Sequence, residues 1–250
     1  MTRIITETYH CAHCNNELHR NLLMSVSTFM GHGDILTSRG TFSGIKPRLY
    51  FCDQCGYIGK DLSEEPDEKE LMVINDKDYQ EFMKIGFKYD LCFQHFLLGY
   101  TYMKLGKYMA AIPHFICSIN GGNKIFQNEK ALEDNYVLNN EEIDFDVVIN
   151  NSADLGNLFV NYLITKCVEH INYQDVSYFL TFYESIDALR RVGKPEKALA
   201  LIKIALEKDF DEEEVSLLKK EEELCLKTDI LTIINIPYED EYASYKKDDN

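Results

Sequence analysis

Two short motifs carry the chemistry in this sequence: Cys11-Ala12-His13-Cys14 and Cys52-Asp53-Gln54-Cys55-Gly56. Two residues between cysteines let a tight turn aim both sulfurs at one ion, and two such turns complete a tetrahedron of thiolates. Cys11, Cys14, Cys52 and Cys55 are therefore expected to ligate one metal ion per chain. Zinc is the expected ion. Iron held as in a rubredoxin is the alternative, because that site also uses two cysteine turns. Gly56 follows the second pair, where a positive φ and free N–H groups let the backbone wrap the sulfurs. Asn15 holds the same place after the first pair, and Asn is the next most tolerant residue of that conformation. A redox dithiol fits less well. A reactive pair opens a helix whose dipole lowers the thiol pKa, whereas both pairs here read as turns between strands. Four cysteine ligands leave no open position for catalysis. His10, His13, His19 and His32 are the histidines near enough to replace a cysteine; His10 and His13 read as exposed turn residues or as groups around the site.

The elements that position these cysteines alternate between strand and turn. Residues 4–10 read as a strand entering the first turn. Leu22 to Phe29 is β-prone after its first residues. Gly31, Gly33, Gly40 and Gly44 punctuate a loop, and Arg48-Leu49-Tyr50-Phe51 is a strand that delivers Cys52. This is the layout of a zinc ribbon with a long inner loop, which closure entropy tolerates at about 0.6 kcal/mol per doubling of length.

Beyond the charged hinge Ser63-Glu64-Glu65-Pro66-Asp67-Glu68 the apolar period changes from two to about 3.6. Asp76 is placed to cap a short helix running to Ile85, and Asp90 the next, which stops at Gly106. Tyr108 to Ile119 follows, with Pro113 expected to weaken or kink it. Residues 123–150 are rich in Asn and acids and carry no clear assignment. Further helices are expected over Ser152–Ile171, over Asp175–Val192 before Gly193, from Pro195 to Lys208, and from the acids Asp211 to Glu214 onward. Glu221-Glu222-Glu223 reads as a solvated helix face. The fold class is thus α+β: a zinc-ribbon-like domain over 1–62, an α-helical domain over 63–235, and an acidic tail over 236–250. The periodic apolar faces of residues 70–235 contain none of the proposed ligands, so the helical part is expected to fold without the ribbon.

The helical part carries a repeat signal. His95-x-x-Leu98-Gly99-x-x-Tyr102 followed by Ala111-x-x-x-Phe115 matches the tetratricopeptide pattern, with His where Trp is usual. A weaker copy runs through Phe182, Leu189, Gly193, Ala198, Ile202 and Ala205. His95 and His114 read as packing histidines on these helices. Together with the first Cys-x-x-Cys and the segment Leu49-Tyr50-Phe51-Cys52-Asp53-Gln54-Cys55-Gly56-Tyr57, this layout resembles a bacterial family of unknown function. That family joins an N-terminal four-cysteine zinc ribbon to tetratricopeptide-like helices. Ala12 and Asp53 stand where the family has proline. The resemblance implies the architecture and a metal, and no reaction.

Composition narrows the function classes. The chain has 250 residues, 45% of them hydrophobic, and a formal net charge of −16. Residues 1–62 hold six Lys/Arg against five Asp/Glu, while the remainder holds 20 against 37. An acidic helical part argues against nucleic-acid or anionic-membrane binding, which need a positive field. No secretory signal and no membrane-length apolar run is visible. A cytoplasmic location is expected, where paired cysteines favour metal over disulfide. Cys92, Cys117, Cys167 and Cys225 are scattered singly and read as small core residues. The leading expectation is a non-enzymatic module whose helical array binds a protein or peptide. The alternatives are a nucleic-acid-binding ribbon using Arg39, Lys46, Arg48 and Lys60, or an enzyme whose site matches no known motif: there is no His-Glu-x-x-His, Gly-x-Ser-x-Gly or phosphate-binding glycine loop.

Overall fold

The computed structural model describes residues 4–23, 49–59, 62–88, 90–119, 125–127 and 155–229. β1 (Ile4–His10) and β2 (Glu17–Leu23) pair antiparallel, with Ile4 opposite Leu23 and His10 opposite Glu17. β3 (Tyr50–Phe51) and β4 (Ile58–Gly59) form a second, shorter antiparallel pair. Each pair is folded across one cysteine turn. The second strand starts at Glu17, earlier than the β-prone run from Leu22 suggests, because the first cysteine turn closes as a hairpin: the Cys11 N–H donates to the Asn16 carbonyl at 3.0 Å. Met24 to Phe29 and the glycine-punctuated loop lie outside the described residues.

Helices make up most of the remaining described chain. They are α1 (Glu68–Ile74), α2 (Lys77–Ile85), α3 (Leu91–Lys104), α4 (Tyr108–Ile119), α5 (Leu155–Val168), α6 (Phe179–Arg191), α7 (Pro195–Ala205) and α8 (Glu212–Leu226). The chain is therefore α+β, with two small antiparallel sheets near its start and helices after them. Local chemistry sets most boundaries. Asp67 with Glu70, and Asp211 with Glu214, form reciprocal capping boxes, and Asp76 and Asp90 accept N–H bonds from the first turns of α2 and α3. Gly106 and Gly193, at φ +75° and +73°, take the left-handed conformation that ends α3 and α6. α4 continues through Pro113. One expected start moves. The helix expected from Asp175 begins at Phe179; the Asn172 side chain donates to the Asp175 carboxylate at 2.6 Å and holds a turn before it. Asn and Asp bond readily to local partners in turns.

Small residues decide how closely the helices pair. A Cβ on Gly99 would lie 2.9 Å from Phe115 Cδ1 and 3.2 Å from the Ala111 carbonyl oxygen, so α3 meets α4 through the glycine of the repeat pattern. His95, buried between them, shares a 2.9 Å Nδ1–Nδ1 hydrogen bond with His114, and the two rings stack. The residues of the second pattern, Phe182, Leu189, Ala198, Ile202 and Ala205, all fall in one buried cluster with α8. Cys92, Cys117, Cys167 and Cys225 are buried and unbridged. Burial pushes the Cys167 thiol up to about 12 and the Cys225 thiol up to about 11, which keeps both as inert thiols.

The apolar core crosses residue 62. Leu49, Phe51 and Ile58 from the second hairpin share one cluster with Val73, Tyr79, Phe82 and Met83 from α1 and α2, and with the aromatic stack of Phe93, Phe96, Phe115, Phe126 and Phe159. A chain cut at residue 62 therefore leaves part of the α1–α2 face without its cover.

The acidic run in α8 is not uniformly solvated. Glu223 is exposed, but the Glu221 side chain is 0% exposed. It accepts from Arg190 Nε at 2.7 Å and from the Tyr183 hydroxyl at 3.2 Å. Arg190 also donates to Asp187 at 2.6 Å and to the Asp229 carbonyl at 2.6 Å, and so ties α6 to α8 and to the turn after it. Charge alone does not reveal this. One residue in a run of three acids faces inward because α8 turns about 100° per residue.

Glu184 on α6 gives a pH dependence. Burial, with a smaller contribution from Asp187, pushes its carboxyl up to about 8 from 4.5. The folded state then holds a proton that the unfolded state has released, so the stability this group contributes is full below about pH 4.5 and is lost as pH rises to about 8. The expected slope from this group is about 1.4 kcal/mol per pH unit inside that window. Glu184→Gln should remove this contribution and stabilise the protein at pH 8. Urea denaturation at pH 5, 6.5 and 8 checks it; an unchanged slope in the variant would count against the buried, protonated carboxyl.

Candidate metal centre

The two cysteine turns are built alike. In the first, the Asn15 N–H donates to the Cys11 carbonyl at 2.7 Å; in the second, the Gly56 N–H donates to the Cys52 carbonyl at 2.8 Å. Asn15 and Gly56 both have positive φ, +57° and +82°. This is the conformation that the sequence requires at those two places. It turns backbone N–H groups toward sulfur: those of Gln54 and Cys55 toward Cys52, that of Asn16 toward Cys14, and that of Tyr57 toward Cys55.

The turns face each other and bring the four sulfurs together. All four Sγ atoms lie within 4.8 Å of one another. Cys11 Sγ is 3.7 Å from Cys55 Sγ, and Cys14 Sγ is 3.4 Å from Cys52 Sγ. A regular tetrahedron with metal–sulfur bonds of 2.3 Å has sulfur–sulfur edges of about 3.8 Å, so the group has the size of a four-thiolate metal site. Cys11 and Cys52 are buried, while Cys14 and Cys55 are partly open. Among the described residues this is the one group of three or more His, Cys, Asp or Glu whose ligand atoms converge so closely.

The electrostatics favour a cation. Burial pushes the Cys55 thiol up, and the Cys52 hydrogen bond and the charges of Cys52 and Cys11 push the same way. Burial also raises Cys14. At Cys52 burial is outweighed by the N–H groups of Cys55 and Gln54, and the thiol is lowered. Four neighbouring thiolates repel one another, and a divalent ion reverses that balance by deprotonating its ligands.

Residues outside the motifs hold the turns in place. The Tyr79 hydroxyl donates to the Gly56 carbonyl at 2.7 Å, and a Cβ on Gly56 would lie 3.0 Å from the Tyr79 ring. Lys88 Nζ reaches the Asp53 carbonyl at 3.4 Å. Asn16 Nδ2 donates to Asp53 Oδ1 at 3.1 Å and so links the first turn to the second. The Tyr9 and Tyr50 rings meet edge to face at 5.0 Å, joining the two hairpins. Sequence reasoning missed all four supports. Tyr79 and Lys88 follow the motifs by more than twenty residues, and nothing in their local pattern marks them as neighbours of the four cysteines.

None of the candidate substitute ligands joins the sulfurs among the described residues. His10 and His19 lie on β1 and β2 with their Nε2 atoms 3.4 and 3.2 Å from the Glu17 carboxylate, and His13 is exposed in the first turn. His32, Arg39, Lys46, Arg48 and Lys60 lie outside the described residues. No family model, curated protein or solved structure matches this chain. Among the described residues no helix is long and apolar enough to cross a membrane.

Proposed function

We propose that this protein is a zinc-stapled protein-interaction module. The observation that carries the reading is the tetrahedron-sized group of Cys11, Cys14, Cys52 and Cys55, closed by two equivalent turns. Four thiolates saturate a zinc ion and leave no position for a substrate, so the metal's role is to order the two hairpins. The hairpins are too small to hold a core of their own. The helices that follow would offer their surface to a protein or peptide. Their excess of acids favours a neutral or basic segment and disfavours duplex nucleic acid. Met72 and Leu226, 74% and 69% exposed, are apolar groups available to such a partner.

The purified chain is expected to carry one zinc per molecule. Elemental analysis checks this together with thiol alkylation of the native protein, in which the four motif cysteines should be protected. Iron in place of zinc would replace the staple by a rubredoxin-like centre. No metal, with four freely alkylated motif thiols, would overturn the reading. The same preparation, made from the native cell at low salt, is expected to retain a protein partner in a fixed ratio.

A further inference from the structure

The outer face of the first hairpin carries two histidines and a glutamate, residue types that can ligate a metal. Tyr9 and Leu18 point inward and pack against the cluster around Cys11, Cys52, Tyr57, Leu62 and Ile74. Strand alternation therefore turns Thr8, His10, Glu17 and His19 outward together. The register places His10 opposite Glu17 and Thr8 opposite His19. Glu17 and His19 are two apart on one strand, and His10 faces them from the other. Directly opposed Cβ atoms lie about 5 Å apart and diagonal neighbours about 7–8 Å apart, within joint reach of these side chains. The side chains already meet at one carboxylate. His10 Nε2 is 3.4 Å from Glu17 Oε2, and His19 Nε2 is 3.2 Å from Glu17 Oε1.

We propose that His10, Glu17 and His19 form a second metal site, for a divalent ion of the zinc type. Two imidazoles and one carboxylate are a ligand set that zinc uses when it keeps a fourth position for water. The two histidines approach opposite oxygens of Glu17, so the ion would draw them inward and take the place of these ion-pair contacts. All three side chains are more than half exposed, and such a rotation meets little packing. Thr8 supplies the support that a ligating histidine needs: its Oγ1 is 3.1 Å from His19 Nδ1. With the proton on Nδ1 and donated to Thr8, His19 presents a bare Nε2 lone pair to the ion. The site is open and exposed, in contrast to the saturated thiolate group one residue along the chain. It is therefore a low-affinity, exchangeable site.

The test uses the full chain with zinc already in the thiolate site, titrated with Co²⁺ alone. The expected result is one further equivalent, bound without sulfur-to-cobalt charge-transfer absorption. His19→Ala and Glu17→Gln should each weaken this equivalent by about tenfold or more, and Thr8→Val should weaken it less. His170→Ala, on a distant helical segment, should leave it unchanged. Zinc retained in the thiolate site of each variant shows that the hairpin is still folded. Absence of the second equivalent would overturn the proposal, and so would its persistence at unchanged affinity in both His19→Ala and Glu17→Gln.

Discussion

Cys52→Ser is expected to release the metal and unfold the two hairpins while the distant helices stay folded. A serine hydroxyl is a poor substitute for a thiolate, and three remaining sulfurs cannot close the tetrahedron. The binding energy of structural zinc in small modules is roughly 10–16 kcal/mol, and there it is folding energy. Cys52 also sits in the small cluster with Cys11, Tyr57, Leu62 and Ile74, so the loss reaches beyond the turn itself. Its extent follows from the shared core. Gly56 receives the Tyr79 hydrogen bond and lies against Met83, and Phe51 and Ile58 belong to the same buried cluster as Phe82. Hydrogen exchange on the variant should therefore show protection lost in residues 4–23 and 49–59, lowered in α1 and α2, and kept in α6, α7 and α8. Those last helices have a cluster of their own. Protection unchanged across both hairpins would sink the structural role of the metal and bring a catalytic or redox site forward.

The second large effect is expected at Arg190. Its side chain and that of Glu221 are both 0% exposed. Burial by itself lowers the Arg190 pKa, but Asp187 and Glu221 outweigh it and hold the guanidinium charged. Burial and Asp187 push the Glu221 carboxyl up, while Arg190 and Tyr183 pull it down. We read the pair as ionised, because a charged guanidinium donates to that carboxylate at 2.7 Å. Arg190→Met leaves Glu221 buried without its cation and should destabilise the protein by about 3–5 kcal/mol. Removing both charges, with Arg190→Met and Glu221→Leu together, should recover most of that loss, because no uncompensated charge remains. Urea denaturation of the two single variants and the double variant closes the cycle. Equal losses in Arg190→Met and in the double variant would show that the packing of the arginine stem, and not the charge, was the cause.

Local signals in the sequence determined the four converging cysteines and most helix ends. Cys-x-x-Cys followed by Asn15 or Gly56 is a conformational instruction carried by consecutive residues, and both turns have the positive φ it requires. The caps at Asp76, Asp90 and Asp211 and the stops at Gly106 and Gly193 are of the same kind, since each needs only a side chain and the backbone within a few residues of it. Where two local signals compete, local reading fails: a helix is expected from Asp175, but Asn172 binds Asp175 in a turn and the helix starts at Phe179. Gly99 shows an intermediate case: a small residue allows close helix approach, and the structure shows that it meets Ala111 and Phe115.

Only the tertiary structure decided which distant groups meet. Glu221, Glu222 and Glu223 are chemically alike, and the approach of α6 selects Glu221 for burial against Arg190. Tyr79 and Lys88 support the second cysteine turn because α2 and the segment after it pack on that turn. The outward group of Thr8, His10, Glu17 and His19 depends on register, and shifting β2 by one residue would turn Glu17 and His19 inward. Such contacts join residues far apart in sequence, and their energy depends on the geometry of the whole packed chain.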